Sequence, residues 1–207
     1  MYYLSDELKF PNVANATTDG LLAIGGDLSV KRLILAYKTG IFPWFNEKEP
    51  ILWWSPDPRF VLFPEKLKIS KSMNQIIRKN EFKITINAAF EEVIRECSNA
   101  KRAGQPGTWI TSRMIEAYVA LHVNGYAKSV EVWLGETLVG GLYGVDLGNG
   151  VFCGESMFSK VSNASKVGFI SLIQNSHYNL IDCQVYTEHL ESLGAEEIQR
   201  DEFLKYL

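Results

Sequence analysis

A chain of 207 residues with 46% hydrophobic and 22% charged residues can bury a substantial core, and these proportions exclude disordered, collagen-like and coiled-coil proteins. The formal net charge of −3 gives no reason by itself to expect a nucleic-acid partner. The sequence shows no signal segment and no apolar run of transmembrane length, and the spacing of its three cysteines is typical of reduced thiols, so we expect a soluble, cytoplasmic protein.

The N-terminal third of the chain predicts one helix and one segment rich in aromatic residues and proline. Residues 1–20 show no periodicity and are predicted to be irregular. Residues 25–29 form a helix cap, and apolar residues at helical spacing predict a helix over residues 30–40. Residues 41–64 contain several prolines, which favour turns and short edge strands.

The remainder of the chain mixes helices with strands. The predicted elements are a strand over 82–87, a helix over 88–97, a helix from Thr111 or Ser112 to Gly125, strands over 128–134, 137–145 and 151–158, a helix from Ser162 or Asn163 to about Ser176, and a strand over 179–186 followed by a short helical tail. We therefore predict an α+β protein with a small N-terminal α/β domain, residues 1–80, and a larger C-terminal domain, residues 81–207.

Charge is distributed unevenly along the chain. Seven basic residues outnumber two acidic ones between Arg59 and Lys83, whereas acidic residues dominate from Glu188 to Leu207. Two interpretations stay open: both segments form ordinary solvated faces, or the basic segment contacts a phosphate backbone. The candidate backbone contacts are Lys66, Lys68, Lys71, Arg78 and Lys79.

Polar residues interrupt two apolar stretches. Side chains alternate along a strand, so Asp182 and Gln184 are predicted to share one face of the strand at 179–186. An unpaired polar group inside a core costs roughly 1 to 3 kcal/mol, so this face predicts a pocket unless the strand end reaches solvent. Glu155 lies in the other apolar stretch, where it either binds a substrate ammonium group or pairs with an internal Arg or Lys.

Other patterns give weaker signals. The three histidines lack metal-ligand spacing and no Gly-x-Ser-x-Gly motif is present, so zinc hydrolysis and a serine triad lack support. Residues 102–107 match the pyrophosphate loop of acetyl-CoA enzymes only in part. Tryptophans in the connecting segments are either stacking platforms for bases or members of a satellite aromatic core; they are Trp44, Trp53, Trp54 and Trp109.

Seven ordered motifs resemble the bacterial leucyl/phenylalanyl-tRNA–protein transferases. They are GLLAIGGDLS at 20–29, GIFPWF at 40–45, WWSPDPR at 53–59, GTWIT at 107–111, FCGESMFS at 152–159, NASK at 163–166 and LIDCQV at 180–185. The resemblance implies a GNAT-like (acyl-CoA N-acyltransferase-like) C-terminal domain. It also implies transfer of Leu, Phe or Met from aminoacyl-tRNA to the N-terminal Arg or Lys of a protein, which marks that protein for N-end rule degradation by ClpS and ClpAP. No metal, CoA or other cofactor is expected.

The resemblance also implies roles for individual residues. Trp44 and Trp109 are expected to flank the 3′-terminal adenosine, and the aminoacyl side chain is expected to lie among Leu142, Phe152, Phe169 and Ile181. The residues expected around the reacting amine and ester are Asp182, Gln184 and Glu155. Our hypothesis is that Asp182 orients Gln184 and accepts proton density from the amine. Gln184 then positions the amine or the ester oxygen, and Glu155 fixes a substrate ammonium group.

Two other functions stay open at this point. One is a CoA-dependent N-acyltransferase on the same fold, which the incomplete pyrophosphate loop disfavours. The other is a non-catalytic module that binds tRNA or basic N-termini, in which Asp182 and Gln184 serve recognition alone.

Overall fold

The protein is described by a computed structural model covering residues 2–100 and 108–207. The strands are β1 (Tyr2–Leu4), β2 (Leu21–Gly25), β3 (Phe42–Pro43), β4 (Leu52–Trp54), β5 (Arg59–Leu62), β6 (Lys83–Ile86), β7 (Ala127–Leu134), β8 (Thr137–Asp146), β9 (Val151–Ser159), β10 (Leu180–Gln184) and β11 (Glu196–Ile198). The helices are α1 (Val30–Lys38), α2 (Lys71–Lys79), α3 (Phe90–Asn99), α4 (Ser112–Val123), α5 (Ala164–Gln174), α6 (Glu188–Glu191) and α7 (Arg200–Phe203). The prediction of an α+β protein is confirmed.

A four-stranded sheet in the order β1-β2-β4-β3 occupies the N-terminal part of the fold. Helix α1 begins as the sequence predicts, because the hydroxyl of Ser29 accepts a hydrogen bond from the backbone N–H of Arg32. The prediction that residues 1–20 are irregular is wrong for β1, which pairs in parallel with β2. Three residues are too few to show a period of two, so this strand depends on its tertiary partner.

A seven-stranded sheet in the order β11-β5-β10-β9-β8-β7-β6 forms the larger part. Its neighbours pair antiparallel except for β9 and β10, which run parallel and are joined through α5. The predicted three-stranded meander is confirmed as β7, β8 and β9. This arrangement agrees with the GNAT-like C-terminal domain that the family resemblance implies.

Strand β5 corrects one prediction and bears on another. The sequence predicts turns and short edge strands up to Pro64, yet β5 is buried along its whole length and pairs on both sides, with β10 and β11. The chain thus passes from the first sheet to the second between Trp54 and Arg59. One hydrophobic core contains residues of both sheets, and it does not mark a boundary between two domains. The domain boundary near residue 80 stays a prediction.

Two further features bear on the sequence-based expectations. None of the helices within residues 2–100 and 108–207 is long and apolar enough to span a membrane. The three cysteines form no disulfide with one another; Cys97 and Cys153 are buried and Cys183 is partly buried.

Candidate active site

A cavity of about 1020 Å³ lies between β3 and the strands β8, β9 and β10. All nine residues that the sequence predicts for catalysis and for aminoacyl-adenosine binding line it: Asp182, Gln184, Glu155, Trp44, Trp109, Leu142, Phe152, Phe169 and Ile181. The first and third of the seven motifs, and the basic segment, contribute no residue to this lining.

One part of the cavity wall is apolar. Leu142 on β8, Phe152 on β9, Phe169 on α5 and Ile181 on β10 are each at most 3% exposed and belong to one hydrophobic cluster. The close approach of α5 to the sheet requires small residues: a Cβ at Gly168 would lie 2.9 Å from a methyl carbon of Val132. These hydrocarbon side chains suit an apolar ligand group.

The tryptophans have different environments. Trp44 follows β3 and is 36% exposed, with its ring 5.8 Å from that of Trp54, whose indole N–H donates to the Trp44 carbonyl. Trp109 lies just before α4 at the cavity wall. Trp53 is fully buried and its indole N–H donates to the carbonyl of Gly25, so the interpretation as an aromatic core residue holds for Trp53.

Glu155 is a buried carboxylate whose partners are neutral groups. Its Oε1 accepts hydrogen bonds from the hydroxyl of Tyr37 at 2.7 Å and from Nε2 of Gln184 at 2.6 Å, and its Oε2 accepts one from the hydroxyl of Tyr118 at 2.9 Å. Burial raises the pKa of Glu155 to about 7, and the three hydrogen bonds limit that rise. Of the two open interpretations of this residue, internal pairing with Arg or Lys is not observed within residues 2–100 and 108–207.

The two tyrosines of this network were missed by sequence reasoning. Tyr37 on α1 and Tyr118 on α4 are buried, and their hydroxyls contact each other as well as Glu155. Burial, followed by the charge of Glu155, raises the pKa of both phenols well above the usual range, so both hydroxyls stay protonated and donate. The hydroxyl of a tyrosine at an inward-facing helix position needs a hydrogen-bond partner. This requirement could have indicated a buried polar network, but helical periodicity treats such a tyrosine as an apolar residue.

Asp182 is held by an arginine from the neighbouring strand. Its Oδ1 accepts from Nε of Arg59 at 2.7 Å and from the backbone N–H of Gln184 at 2.9 Å, and its Oδ2 accepts from Nη2 of Arg59 at 2.6 Å. Arg59 is 1% exposed, so it does not belong to a basic surface, although the sequence counts it in the basic segment. Only the folded sheet brings β5 beside β10 and thereby pairs these two charges.

Strand β10 ends in a bulge that changes the predicted alternation. Its register with β5 shifts between Asp182 and Gln184, and Gln184 adopts a left-handed backbone with φ of +65°. Such a conformation costs a non-glycine residue about 1 to 3 kcal/mol, and the hydrogen bond from its N–H to Asp182 offsets part of that cost. Both side chains are buried, which excludes the alternative that the strand end reaches solvent.

The five candidate backbone contacts lie on the surface near α2. Lys66, Lys68, Lys71, Arg78 and Lys79 are all exposed. Lys66 pairs with Glu196 on β11, so the basic segment and the acidic C-terminal segment meet at this point. Helix α2, which the sequence analysis does not predict, begins with a cap from the Ser70 hydroxyl.

Two sequence-based expectations concern cofactors. Within residues 2–100 and 108–207, no group of three or more His, Cys, Asp or Glu side chains is placed to hold a metal ion. The partial pyrophosphate loop at 102–107 lies outside the described residues.

Among solved structures, a conserved protein of unknown function from Bacteroides thetaiotaomicron superposes with a TM-score of 0.50 at 13% identity, over 65% of this chain and 53% of that chain. This likeness concerns the fold alone.

The sequence matches one family along most of its length. Residues 61–207 match the profile of the leucyl/phenylalanyl-tRNA protein transferase family, and residues 26–57 match the profile of its N-terminal domain. Curated relatives named leucyl/phenylalanyl-tRNA–protein transferase are 63% identical in Flavobacterium psychrophilum, over 100% of this chain and 99% of the relative, and 59% identical in Christiangramia forsetii, over 100% of both. A third, from Syntrophobacter fumaroxidans, is 55% identical over 100% of this chain and 89% of its own length. The chain therefore belongs to the leucyl/phenylalanyl-tRNA–protein transferase family of aminoacyltransferases, as its ordered motifs predict.

Proposed function

We propose that this enzyme transfers a leucyl, phenylalanyl or methionyl group from aminoacyl-tRNA to the α-amine of an N-terminal Arg or Lys on a protein. The observation that carries the proposal is one cavity in which an apolar wall adjoins a buried carboxylate, Glu155, with a pKa of about 7. In the reaction the amine nitrogen attacks the ester carbonyl carbon. A peptide bond forms, the bond to the ribose oxygen breaks, and the amine proton passes to that oxygen.

The apolar wall explains the choice of donor. Leu142, Phe152, Phe169 and Ile181 offer hydrocarbon surface, and each methylene in such a pocket discriminates by only about 1 to 3 kcal/mol. Leu, Phe and Met are therefore accepted together, whereas a charged side chain would lose its hydration. Trp44 and Trp109 on the same cavity would hold the terminal adenosine by stacking, a contact worth about 1 to 3 kcal/mol per base.

Glu155 is the residue we assign to proton transfer. An N-terminal amine titrates near pH 7.7 to 8.0, so a carboxylate with a pKa of about 7 is suited to accept its proton at neutral pH. Nε2 of Gln184 donates a hydrogen bond to Glu155, so the side-chain carbonyl oxygen of Gln184 can accept one from an N–H of the incoming amine. Asp182 supports Gln184 through the backbone N–H. The carboxylate of Asp182 already accepts three hydrogen bonds, two of them from a buried guanidinium, and this makes it a weaker proton acceptor than Glu155.

The hydrogen bond from Tyr37 predicts a shift in pH dependence. Tyr37→Phe removes a bond that stabilises the ionised carboxylate, so the pKa of Glu155 rises further above about 7. Because transfer needs the ionised form, the acidic limb of kcat/KM is expected to move up by about one pH unit. The measurement is kcat/KM between pH 5.5 and 9 with one acceptor peptide, whose own amine titrates identically in every variant.

Tyr178→Phe is the matched control for this prediction. Tyr178 donates to Asp146, outside the Glu155 network, so its removal is expected to leave the limb in place. An acidic limb that is the same in Tyr37→Phe and in the wild type would show that Glu155 does not govern the rate.

The exposed bases near α2 are proposed to follow the phosphate backbone of the tRNA. Releasing counterions from each phosphate contact makes affinity fall with salt, so Lys71→Gln is expected to reduce the slope of log affinity against log salt by about one. Lys205→Gln, at an exposed lysine in the acidic C-terminal segment, is the control. Equal slopes for wild type and for the combined variant of Lys68, Lys71 and Arg78 would remove this surface from the proposal.

We place the reaction in the cytoplasm, where thiols stay reduced, and the lack of a disulfide between the three cysteines supports this location. Its products carry a new large apolar N-terminal residue, and we propose that ClpS binds them and passes them to ClpAP for N-end rule degradation.

A donor and acceptor panel tests the proposed function. Leu, Phe and Met are expected to move from tRNA to a peptide that begins with Arg or Lys, with Asp and Ala donors and Glu or Ala acceptors at least about 100-fold slower. Transfer from none of the donors would contradict the function. Turnover of acetyl-CoA without RNA would support a CoA-dependent acyltransferase in its place.

A further inference from the structure

Arg59 joins three parts of the fold from inside the core. Its Nε and Nη2 bind the carboxylate of Asp182, and its Nη1 donates to the carbonyl of Gly40 at 3.2 Å. The guanidinium carbon lies 4.8 Å from the ring centre of Phe42 and 4.6 Å from that of Phe203. The guanidinium is thus fixed by hydrogen bonds in its plane and by rings on its faces.

Arg59 does not line the substrate cavity, but its main partner leads there. Asp182 accepts the backbone N–H of Gln184, the residue whose left-handed backbone turns its amide toward Glu155. The orientation of that amide thus depends on where the Asp182 carboxylate sits. Arg59 determines that position, because it holds both carboxylate oxygens.

The third hydrogen bond of Arg59 fixes its guanidinium to the turn that follows α1. Gly40 has a φ of +75°, and a Cβ there would lie 2.6 Å from a side-chain carbon of Leu204, so the turn is fixed by close packing. A guanidinium offers donors in a rigid planar fork, and an ammonium group cannot reproduce three such bonds in fixed directions. Charge alone does not account for the arrangement.

We infer that Arg59 is a positioning residue for aminoacyl transfer. It fixes the orientation of the Gln184 side-chain amide, because its hydrogen bonds hold the Asp182 carboxylate at a set position relative to the turn at Gly40. This inference rests on the proposed function, because it assigns Arg59 a part in that reaction. It places no contact between Arg59 and either substrate.

Arg59→Lys, which keeps the charge and removes the fork, tests the inference in single-turnover transfer at saturating enzyme. The rate constant is expected to fall at least tenfold, while the enzyme concentration for half-maximal rate stays within threefold. An unfolded fraction of the enzyme raises the total enzyme concentration that gives half the maximal rate, but it leaves the rate constant at saturation unchanged. A purely structural role would therefore not lower this rate constant. Arg32→Lys is the matched control, since Arg32 is also fully buried, pairs with Asp27 and lies off the cavity.

The double variant Arg59→Met/Asp182→Met has no unpaired buried charge, which favours folding. If Arg59 acts through Asp182, the double variant transfers no more than threefold slower than Asp182→Met alone. If the losses in rate constant from the two single substitutions multiply in the double variant, Arg59 does not act through Asp182 and the inference is overturned. An enzyme concentration for half-maximal rate that rises in Arg59→Lys, together with a smaller slope of log affinity against log salt, would also overturn it and indicate direct contact between Arg59 and RNA.

The wild-type protein separates the two levels of failure. Absence of transfer by the wild type contradicts the proposed function, and this inference falls with it. Wild-type transfer together with an unchanged rate constant in Arg59→Lys contradicts this inference alone.

Discussion

Glu155→Gln is expected to lower the single-turnover rate of transfer by about 10²- to 10⁴-fold at pH 8, the usual contribution of a general base. Glutamine has nearly the same size, its one amide oxygen still accepts the hydrogen bond from Tyr37, and its NH2 group donates to the hydroxyl oxygen of Tyr118, so the cavity keeps its shape. What it loses is the capacity to accept the amine proton. The rate that remains comes from the orientation of the two substrates, because well-oriented reactants react as if present at effective molarities of roughly 10⁵ to 10⁸ M.

The same substitution has a pH-dependent effect on stability, with a defined sign. The folded state raises the pKa of Glu155 from 4.5 to about 7, so the folded protein holds this proton more tightly than the unfolded chain. Ionisation of Glu155 therefore lowers the free energy of unfolding of the wild type. The full loss is present above pH 7, and there is no loss below pH 4.5. Relative to the wild type, Glu155→Gln is expected to gain up to about 3 kcal/mol in free energy of unfolding between those pH values.

Glu131→Gln is the control for the effect on the transfer rate. Glu131 is a fully buried carboxylate on β7 that binds the hydroxyls of Thr85 and Ser129, outside the cavity. Its replacement is expected to leave the transfer rate within twofold of the wild type. A Glu155→Gln enzyme that transfers within fivefold of the wild type would show that another group accepts the proton.

Asp182→Ala is expected to cost about 3 to 5 kcal/mol of stability, because it leaves the guanidinium of Arg59 buried without its counter-charge. It also removes the acceptor that supports the Gln184 backbone, so transfer by the molecules that remain folded is expected to fall as well. Urea unfolding measures the first effect and the single-turnover rate constant the second.

An exposed ion pair provides the comparison for this prediction. Glu91→Ala breaks a pair with Arg95 along α3, where both side chains are more than half exposed, and is expected to cost less than about 1 kcal/mol. If Asp182→Ala cost as little as Glu91→Ala, the Arg59–Asp182 pair would not hold the core in the way described.

Sequence reasoning succeeded where a signal is local. Helices α1, α4 and α5 and the meander β7–β9 carry clear periodicity and caps, and all were predicted close to their observed bounds. The ordered motifs also pointed to side chains that the structure gathers in one cavity. The roles of those side chains stay predictions until the variants above are measured.

The features that were missed depend on partners far apart in the chain. Arg59 and Asp182 are 123 residues apart, and Tyr37 and Glu155 are 118 apart, so no window of local sequence contains either pair. The bulge at Gln184 likewise arises from register with β5, a strand too short to show alternation. Arg59 was consequently counted only as part of the basic segment, and Tyr37 was not singled out.

The central claim is that the enzyme moves an aminoacyl group from RNA to a protein amine. Phe-tRNA labelled with tritium in the phenylalanyl group and with ³²P in the RNA measures this directly, with a peptide that begins with Arg as acceptor. The account predicts that tritium enters the peptide while ³²P stays with the RNA, and that digesting the RNA beforehand abolishes transfer. Tritium that never enters the peptide, or that enters it equally well after RNA digestion, would contradict the account.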